Sequence, residues 1–474
     1  DLCGDSFVEY GSLVLANQRS RRSLEELIEK SPADGMITGI GSVNGDLFDG
    51  QASQCAILSY DYTVFAGTQG NRNHQKTDRM LEIAKRGGMP VIIFTEGGGG
   101  RPGEDGDTGG THTFVSFPEL SGLVPLVGIN SGRCFAGNAA LLGMCDVIIA
   151  TRDSNIGMGG PAMVEGGGLG VFTPEEIGPM DVQVPNGVVD IAVEDEEEAV
   201  AVAKKYLSYF QGALPTWEEH DQRLLRAIIP ENRVRAYNVK TVIETMADVG
   251  TMLEIRPQFG VGIITAFIRV EGRPVGVIAN NPMHLGGAID ADGSDKAARF
   301  LQLCDAFDIP VLSLCDTPGI MVGPEVESTA LVRHCSRLFV IGSNLAVPMF
   351  SIVLRKWVGL GGLAMAGGSS KVPYFSVAWP TGEFAGMGLE GSVKLGYRDE
   401  LAAIEDPAER KEKFDEMVAK AYEGSKALRH AAVFAVDEVI DPADSRRWIS
   451  TLLKSVRFER RLPTVKRRPS VDSW

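Results

Sequence analysis

Shifted by 220 residues, this 474-residue chain falls on itself. Ala56 to Thr95 lies over Gly276 to Cys315. Within that overlap Gln75-Lys76-Thr77-Asp78-Arg79-Met80-Leu81 meets Asp295-Lys296-Ala297-Ala298-Arg299-Phe300-Leu301, and Met89-Pro90-Val91-Ile92 meets Ile309-Pro310-Val311-Leu312. Ala66-Gly67 lies over Gly286-Gly287, and Val124-Pro125 keeps nearly the same relation to Val347-Pro348 at 223. A duplication of this length calls for two similar units, each with its own core.

Within each copy the pattern is strand, glycine-containing loop, helix, strand, glycine-rich loop. Ala56–Ser59 and Val275–Ile278 have the length and apolarity of buried strands, as do Val91–Thr95, Val311–Cys315, Leu126–Ile129 and Met349–Val353. Asn73–Arg86 and Asp295–Phe307 carry apolar residues at helical spacing, the second with Ser294 as its expected N-cap. Strands alternating with helices predict a mainly parallel sheet in each half. The fold class expected is therefore α/β, as two tandem domains over residues 1–220 and 221–474, joined near residues 212–230. Residues 406–430 read as one long solvated amphipathic helix.

Composition narrows the function. With 46 Lys and Arg against 62 Asp and Glu the net charge is −16, which speaks against a nucleic-acid partner. The one basic cluster, Lys454 to Arg468, reads as a solvated terminus able to pack on a partner subunit. Seven cysteines stand singly, without a C-x-x-C pair, so neither a disulfide framework nor a metal site is expected and a reducing, cytoplasmic setting fits best. The most apolar stretch, Leu338 to Leu354, is interrupted by Ser343, Asn344, Pro348 and Ser351, so no membrane span is expected. The sequence opens at Asp1 rather than Met and is expected to be trimmed or part of a longer polypeptide.

Familiar catalytic constellations are missing: there is no G-x-x-x-x-G-K-[ST], no G-x-S-x-G and no H-E-x-x-H. Cys134 and Cys145 lack an activating partner in the sequence. Glycine at strand ends is what remains. Ser131-Gly132-Arg133-Cys134-Phe135-Ala136-Gly137-Asn138 follows one strand, and Trp357-Val358-Gly359-Leu360-Gly361-Gly362 follows its counterpart. Small residues there leave backbone N–H groups uncovered, and two such groups form an oxyanion hole, each donor contributing about 3 kcal/mol to a transition state. Close helix–strand packing also selects glycine, but two such loops at equivalent places favour function.

The second half resembles the carboxyltransferase of biotin-dependent acyl-CoA carboxylases, a family that includes propionyl-CoA, methylcrotonyl-CoA and single-chain long-chain acyl-CoA carboxylases. The resemblance lies in Pro274-Val275-Gly276-Val277-Ile278-Ala279-Asn280-Asn281-Pro282, Ala297-Ala298-Arg299-Phe300, Cys304 to Pro310 and Asp316-Thr317-Pro318-Gly319. It continues through Val332-Arg333-His334, Arg355-Lys356 and Ala378-Trp379-Pro380-Thr381. Asp5 to Tyr10, Asp61 to Phe65 and the Gly97–Arg101 loop extend it through the first half. It implies two crotonase-like domains of the ClpP/crotonase superfamily, the first holding acyl-CoA and the second receiving carboxybiotin. In the family the carboxyl group moves to the α-carbon of the thioester, both partners passing through enolates held by backbone donors. The resemblance maps one donor pair onto Ala136 and Gly137 and the other onto Leu360 and Gly361. It implies a homo-oligomer, a hexamer, working with biotin carboxylase and a biotin carrier. No Ala-Met-Lys-Met motif occurs, so the carrier is expected on another domain or chain.

Gly98, Gly99 and Arg101 are expected at the CoA phosphates, with the alternative that Arg101 braces its loop through a carboxylate such as Glu104. The chain also departs from its relatives. Short-chain members read Arg-Lys-Ala-Tyr-Gly-Gly-Ala-Tyr-Asp where this sequence has Arg355 to Leu363, so the acid beside the acyl pocket is Leu363 and a Tyr is Gly362. These changes predict a longer apolar acyl chain, unless Trp357 refills the space. Competing readings are a biotin-dependent decarboxylase or transcarboxylase subunit, a biotin-free crotonase using Glu165, and a degenerate CoA-binding assembly subunit.

Overall fold

The computed structural model describes residues 2–106, 112–456, 462 and 464–474. Contacts divide the chain into two compact units. One runs to Ala213 and takes in Ala306–Asp308 and the tail to Ser473; the other begins at Leu214.

The first unit is built on seven strands, β1 (Val8–Tyr10), β2 (Met36–Ser42), β3 (Gln54–Tyr60), β4 (Val91–Phe94), β5 (Leu126–Asn130), β7 (Val147–Thr151) and β9 (Ile191–Val193), in that order. A two-stranded ribbon pairs β6 (Arg133–Phe135) with β8 (Asn155–Gly157). The second unit orders β10 (Leu253–Ile255), β11 (Ile263–Val270), β12 (Arg273–Asn280), β13 (Val311–Thr317), β14 (Met349–Val358), β15 (Phe375–Ala378) and β17 (Glu438–Val439). There β16 (Glu383–Ala385) pairs with the end of β14. The first two pairings of each sheet are antiparallel and the rest parallel.

The sequence repeat reappears as hydrogen-bond register. Ala56 pairs with Val91 and Val91 with Leu126; Gly276 pairs with Val311 and Val311 with Met349. Each residue is displaced from its counterpart by 220 or 223. The interior strands β5 and β13 are buried along their whole length, as parallel strands covered on both faces must be. Glycine is required where the loops close: a Cβ at Gly67 (φ 62°) would strike the Glu96 carbonyl, and one at Gly287 (φ 90°) the Asp316 carbonyl. The repeated lysine is an anchor in the first unit, where buried Lys76 donates to the Ala33 carbonyl at 3.0 Å.

Three expectations are corrected. The helix of the second copy spans Ala291–Ala306, so Ser294 sits inside it; Asp290 accepts from the Gly293 N–H at 2.8 Å in the capping role. Residues 406–430 form two helices, Pro407–Ser425 and Ala427–Ala432, because Lys426 is extended (φ −61°, ψ 141°). Nor is the basic tail simply solvated: Arg467 pairs with Asp308, and the Val471 N–H donates to Ser121 Oγ at 3.0 Å. Arg457, Arg460 and Arg461 lie outside the described residues. Among the described residues no helix is long and apolar enough to cross a membrane.

Candidate functional site

In the first unit β6 leads through Ala136 into helix Gly137–Gly143. Ala136 has φ 55° and ψ −121°, a conformation that strains any residue with a Cβ. Asn138, fully buried, ties the neighbouring segments together: its side chain accepts from the Gly99 N–H at 2.9 Å and donates to the Gly67 carbonyl at 3.2 Å. Gln69 adds a second tie, donating its N–H to the Gly99 carbonyl and its amide to Tyr60.

Ala136 does not offer its N–H to a ligand, because it donates to the Gly157 carbonyl at 3.1 Å. The N–H groups of Gly137 and Asn138 meet no acceptor among the described residues. The N–H groups without acceptors thus begin one residue after Ala136, the first member of the pair to which the resemblance points.

The second unit repeats the positive φ in its own register. Strand β14 leads into helix Gly359–Met365, and Gly359 has φ 54°. Ala136 and Gly359 are 223 residues apart, the offset that relates β5 to β14. Leu360 and Gly361 therefore match Gly137 and Asn138, and their N–H groups likewise find no acceptor among the described residues. Gly361 must lack a side chain, since a Cβ would stand 2.7 Å from Gly319 Cα. Leu360 is exposed and Leu363 lines the same cavity of about 600 Å³ together with Trp357, Phe384 and His430. The Trp357 indole abuts Gly362, so the room left at that position is filled, as the alternative has it.

Gly98, Gly99 and Arg101, expected at the CoA phosphates, direct their donors at protein acceptors in this structure. The Gly98 N–H donates to the Ala66 carbonyl and the Gly99 N–H to Asn138. Arg101 is 7% exposed, and its guanidinium faces inward. It pairs with the Asp34 carboxylate, reaches Glu104 at 3.5 Å, and donates to the carbonyls of Asp34 and Thr68 and to Thr68 Oγ1. With all of its donors directed at protein acceptors it braces the loop, the alternative reading. The cysteines are equally remote from chemistry: Cys134 and Cys145 are buried, and burial pushes the Cys134 thiol well up. Glu165 is exposed on helix Pro161–Gly166.

Sequence reasoning overlooked Asn138 and His430. Carrying the 223 offset through the loops would have set Asn138 over Gly361; nothing in the sequence sets His430 beside Leu360. It also overlooked Glu96, whose carboxyl burial pushes up to about 7 even though it accepts from the Ser131 N–H at 2.6 Å.

The carboxyl transferase domain family matches residues 2–469. The methylmalonyl-CoA carboxyltransferase 12S subunit of Propionibacterium freudenreichii subsp. shermanii is 33% identical over 453 residues, covering 92% of this chain and 83% of its own. A single-chain, multi-domain long-chain acyl-CoA carboxylase of known structure is 58% identical, with a TM-score of 0.91. That match covers 95% of this chain and 45% of the other, so this chain spans less than half of that protein. A crystal structure of transcarboxylase 12S, a hexamer assembly with methylmalonyl-coenzyme A and methylmalonic acid bound, is 31% identical with a TM-score of 0.85 over 97% of this chain and 89% of its own. The sheets, their register and these likenesses agree, and the chain belongs to the carboxyl transferase domain family, as a carboxyltransferase of the biotin-dependent acyl-CoA carboxylase and transcarboxylase type.

Proposed function

We propose that this chain moves a carboxyl group between carboxybiotin and the α-carbon of an acyl-CoA thioester, using one backbone oxyanion hole in each of two crotonase-like units. The observation that carries the reading is the duplicated one: a positive-φ residue, Ala136 or Gly359, followed by two N–H groups without protein acceptors. Gly137 and Asn138 would hold the thioester oxygen, and Leu360 and Gly361 the ureido oxygen. Donors fixed by the backbone need no reorganisation as charge develops on those oxygens. Carboxybiotin supplies the carboxyl group and, once that has left, the acceptor for the α-proton. The chain's own part is to hold both oxygens and exclude water. The cavity beside Leu360 fits a small bicyclic ring in volume and in its apolar lining.

The likeness to a long-chain acyl-CoA carboxylase and the leucine at 363 support an acyl chain longer than propionyl. The likeness to a hexameric 12S core supports a homo-oligomer working with a biotin carrier and biotin carboxylase on other domains or chains. Seven free cysteines suit a reducing, cytoplasmic setting. Incubating the protein with a chemically prepared carboxybiotin and an acyl-CoA should yield the corresponding malonyl-type thioester by mass spectrometry. No product with acetyl-, butyryl- or octanoyl-CoA would overturn the reading. Sedimentation of a stable monomer with full activity would overturn the oligomer.

A further inference from the structure

His430 reaches the wall of the cavity beside Leu360 from helix Ala427–Ala432. That wall is apolar apart from His430 and Ser370, and the Ser370 hydroxyl is already taken, donating to the Ala435 carbonyl at 3.0 Å. The imidazole lies nearly flat on Phe384, with centroids 4.9 Å apart and planes at 29°. Phe384 in turn meets the Trp357 indole at 5.7 Å. This stack fixes the plane of the imidazole, yet neither ring nitrogen makes a hydrogen bond among the described residues. Burial holds its pKa below the usual histidine value. The ring is therefore neutral near pH 7 and presents one N–H donor and one lone pair.

We propose that His430 binds the ureido edge of biotin in this cavity, an inference that rests on the assignment of the second unit to carboxybiotin. An acyl chain offers an imidazole nothing to bond. A ureido ring offers both an N–H and a carbonyl, and its fused apolar ring suits the Trp357 and Phe384 faces.

Saturation-transfer NMR with free biotin and the whole protein reads affinity without turnover. His430→Phe, which keeps the stack and loses both nitrogens, should weaken biotin at least tenfold. His430→Gln, which keeps a donor and an acceptor, should stay within threefold of wild type. In carboxyl transfer from methylmalonyl-CoA to free biotin, His430→Phe should raise KM for biotin and leave KM for the CoA ester unchanged. Unaltered biotin affinity in His430→Phe, or equal losses in both variants, would overturn the proposal and leave His430 a packing residue. A wild-type protein that gives no biotin signal would instead overturn the cavity assignment beneath it.

Discussion

The Trp357 indole fills the space that any side chain at Gly362 would need: a Cβ there would stand 2.7 Å from indole Cγ and Cε2. A large residue and an absent one, five positions apart, thus form a single packing unit. Gly362→Ala should cost about 1–3 kcal/mol by overpacking. Combined with Trp357→Ala, that cost should shrink, giving a coupling of about 1 kcal/mol or more in a double-mutant cycle. Chemical denaturation of the four proteins measures it, and strictly additive losses would show that the contact is not strained.

Arg101→Ala should act on stability rather than on CoA affinity. Its removal leaves Asp34 buried without its partner, a change worth about 3–5 kcal/mol. Burial already raises the Asp34 pKa, and the Arg101 charge opposes that rise. A variant of wild-type stability with a tenfold higher KM for the CoA ester would return Arg101 to the phosphates.

Ala136 holds a backbone conformation that glycine adopts freely. Ala136→Gly should therefore leave the Gly137 and Asn138 donors in place and raise stability by about 1 kcal/mol, as strain at a single residue would. A fall in both stability and transfer rate would mean that the Cβ, which sits against Gly99, is needed to hold the loop.

Much of this architecture was legible because the repeat carries register: residues 220 apart occupy the same places in β3 and β12 or in β4 and β13. The resemblance points to Ala136 and Gly137 while the 223 offset from Leu360 and Gly361 gives Gly137 and Asn138, because the offset drifts between the helix and the loop and motif matching across the two loops does not respect that drift. Ser294 looked like a cap because its side chain suits one; Asp290, four residues earlier, competes better by accepting from Gly293. Arg101 looked like a phosphate ligand because a sequence shows its charge and hides Asp34, 67 residues away, whose burial decides where the guanidinium points.

Glu96 predicts a pH dependence of stability. Its folded pKa of about 7 lies above the ordinary 4.5, through burial first, with Glu196 adding to the rise and the Ser131 N–H opposing it. A carboxyl raised in this way favours folding while protonated, so its contribution is complete below about pH 4.5 and is lost as pH rises through about 7. Glu96→Gln should remove that loss. The melting temperature of the variant should gain on wild type between pH 5 and pH 8, and parallel curves over that range would rule the mechanism out.

The acyl chain is the property that Leu363 is expected to set. Leu363 lies one helical turn beyond Leu360, and both line the cavity of the second unit. Under the proposed reading the carboxyl group is presented in this cavity, and the acyl substituent is expected to meet this wall. Leucine in place of an acid removes the cost of burying a charge against methylenes, and each methylene newly buried contributes about 0.8 kcal/mol, several-fold per carbon in kcat/KM. Because the indole takes the volume left at Gly362, the gain should come from lost polarity and not from extra room. The preference should therefore rise from acetyl- to butyryl-CoA and then level off toward octanoyl-CoA if the wall is short. A steady fall with chain length would refute it. Leu363→Asp should move preference toward the shortest ester, with the ureido oxygen still assigned to the N–H groups of Leu360 and Gly361. Loss of both activities in that variant would make Leu363 a packing residue beneath the loop.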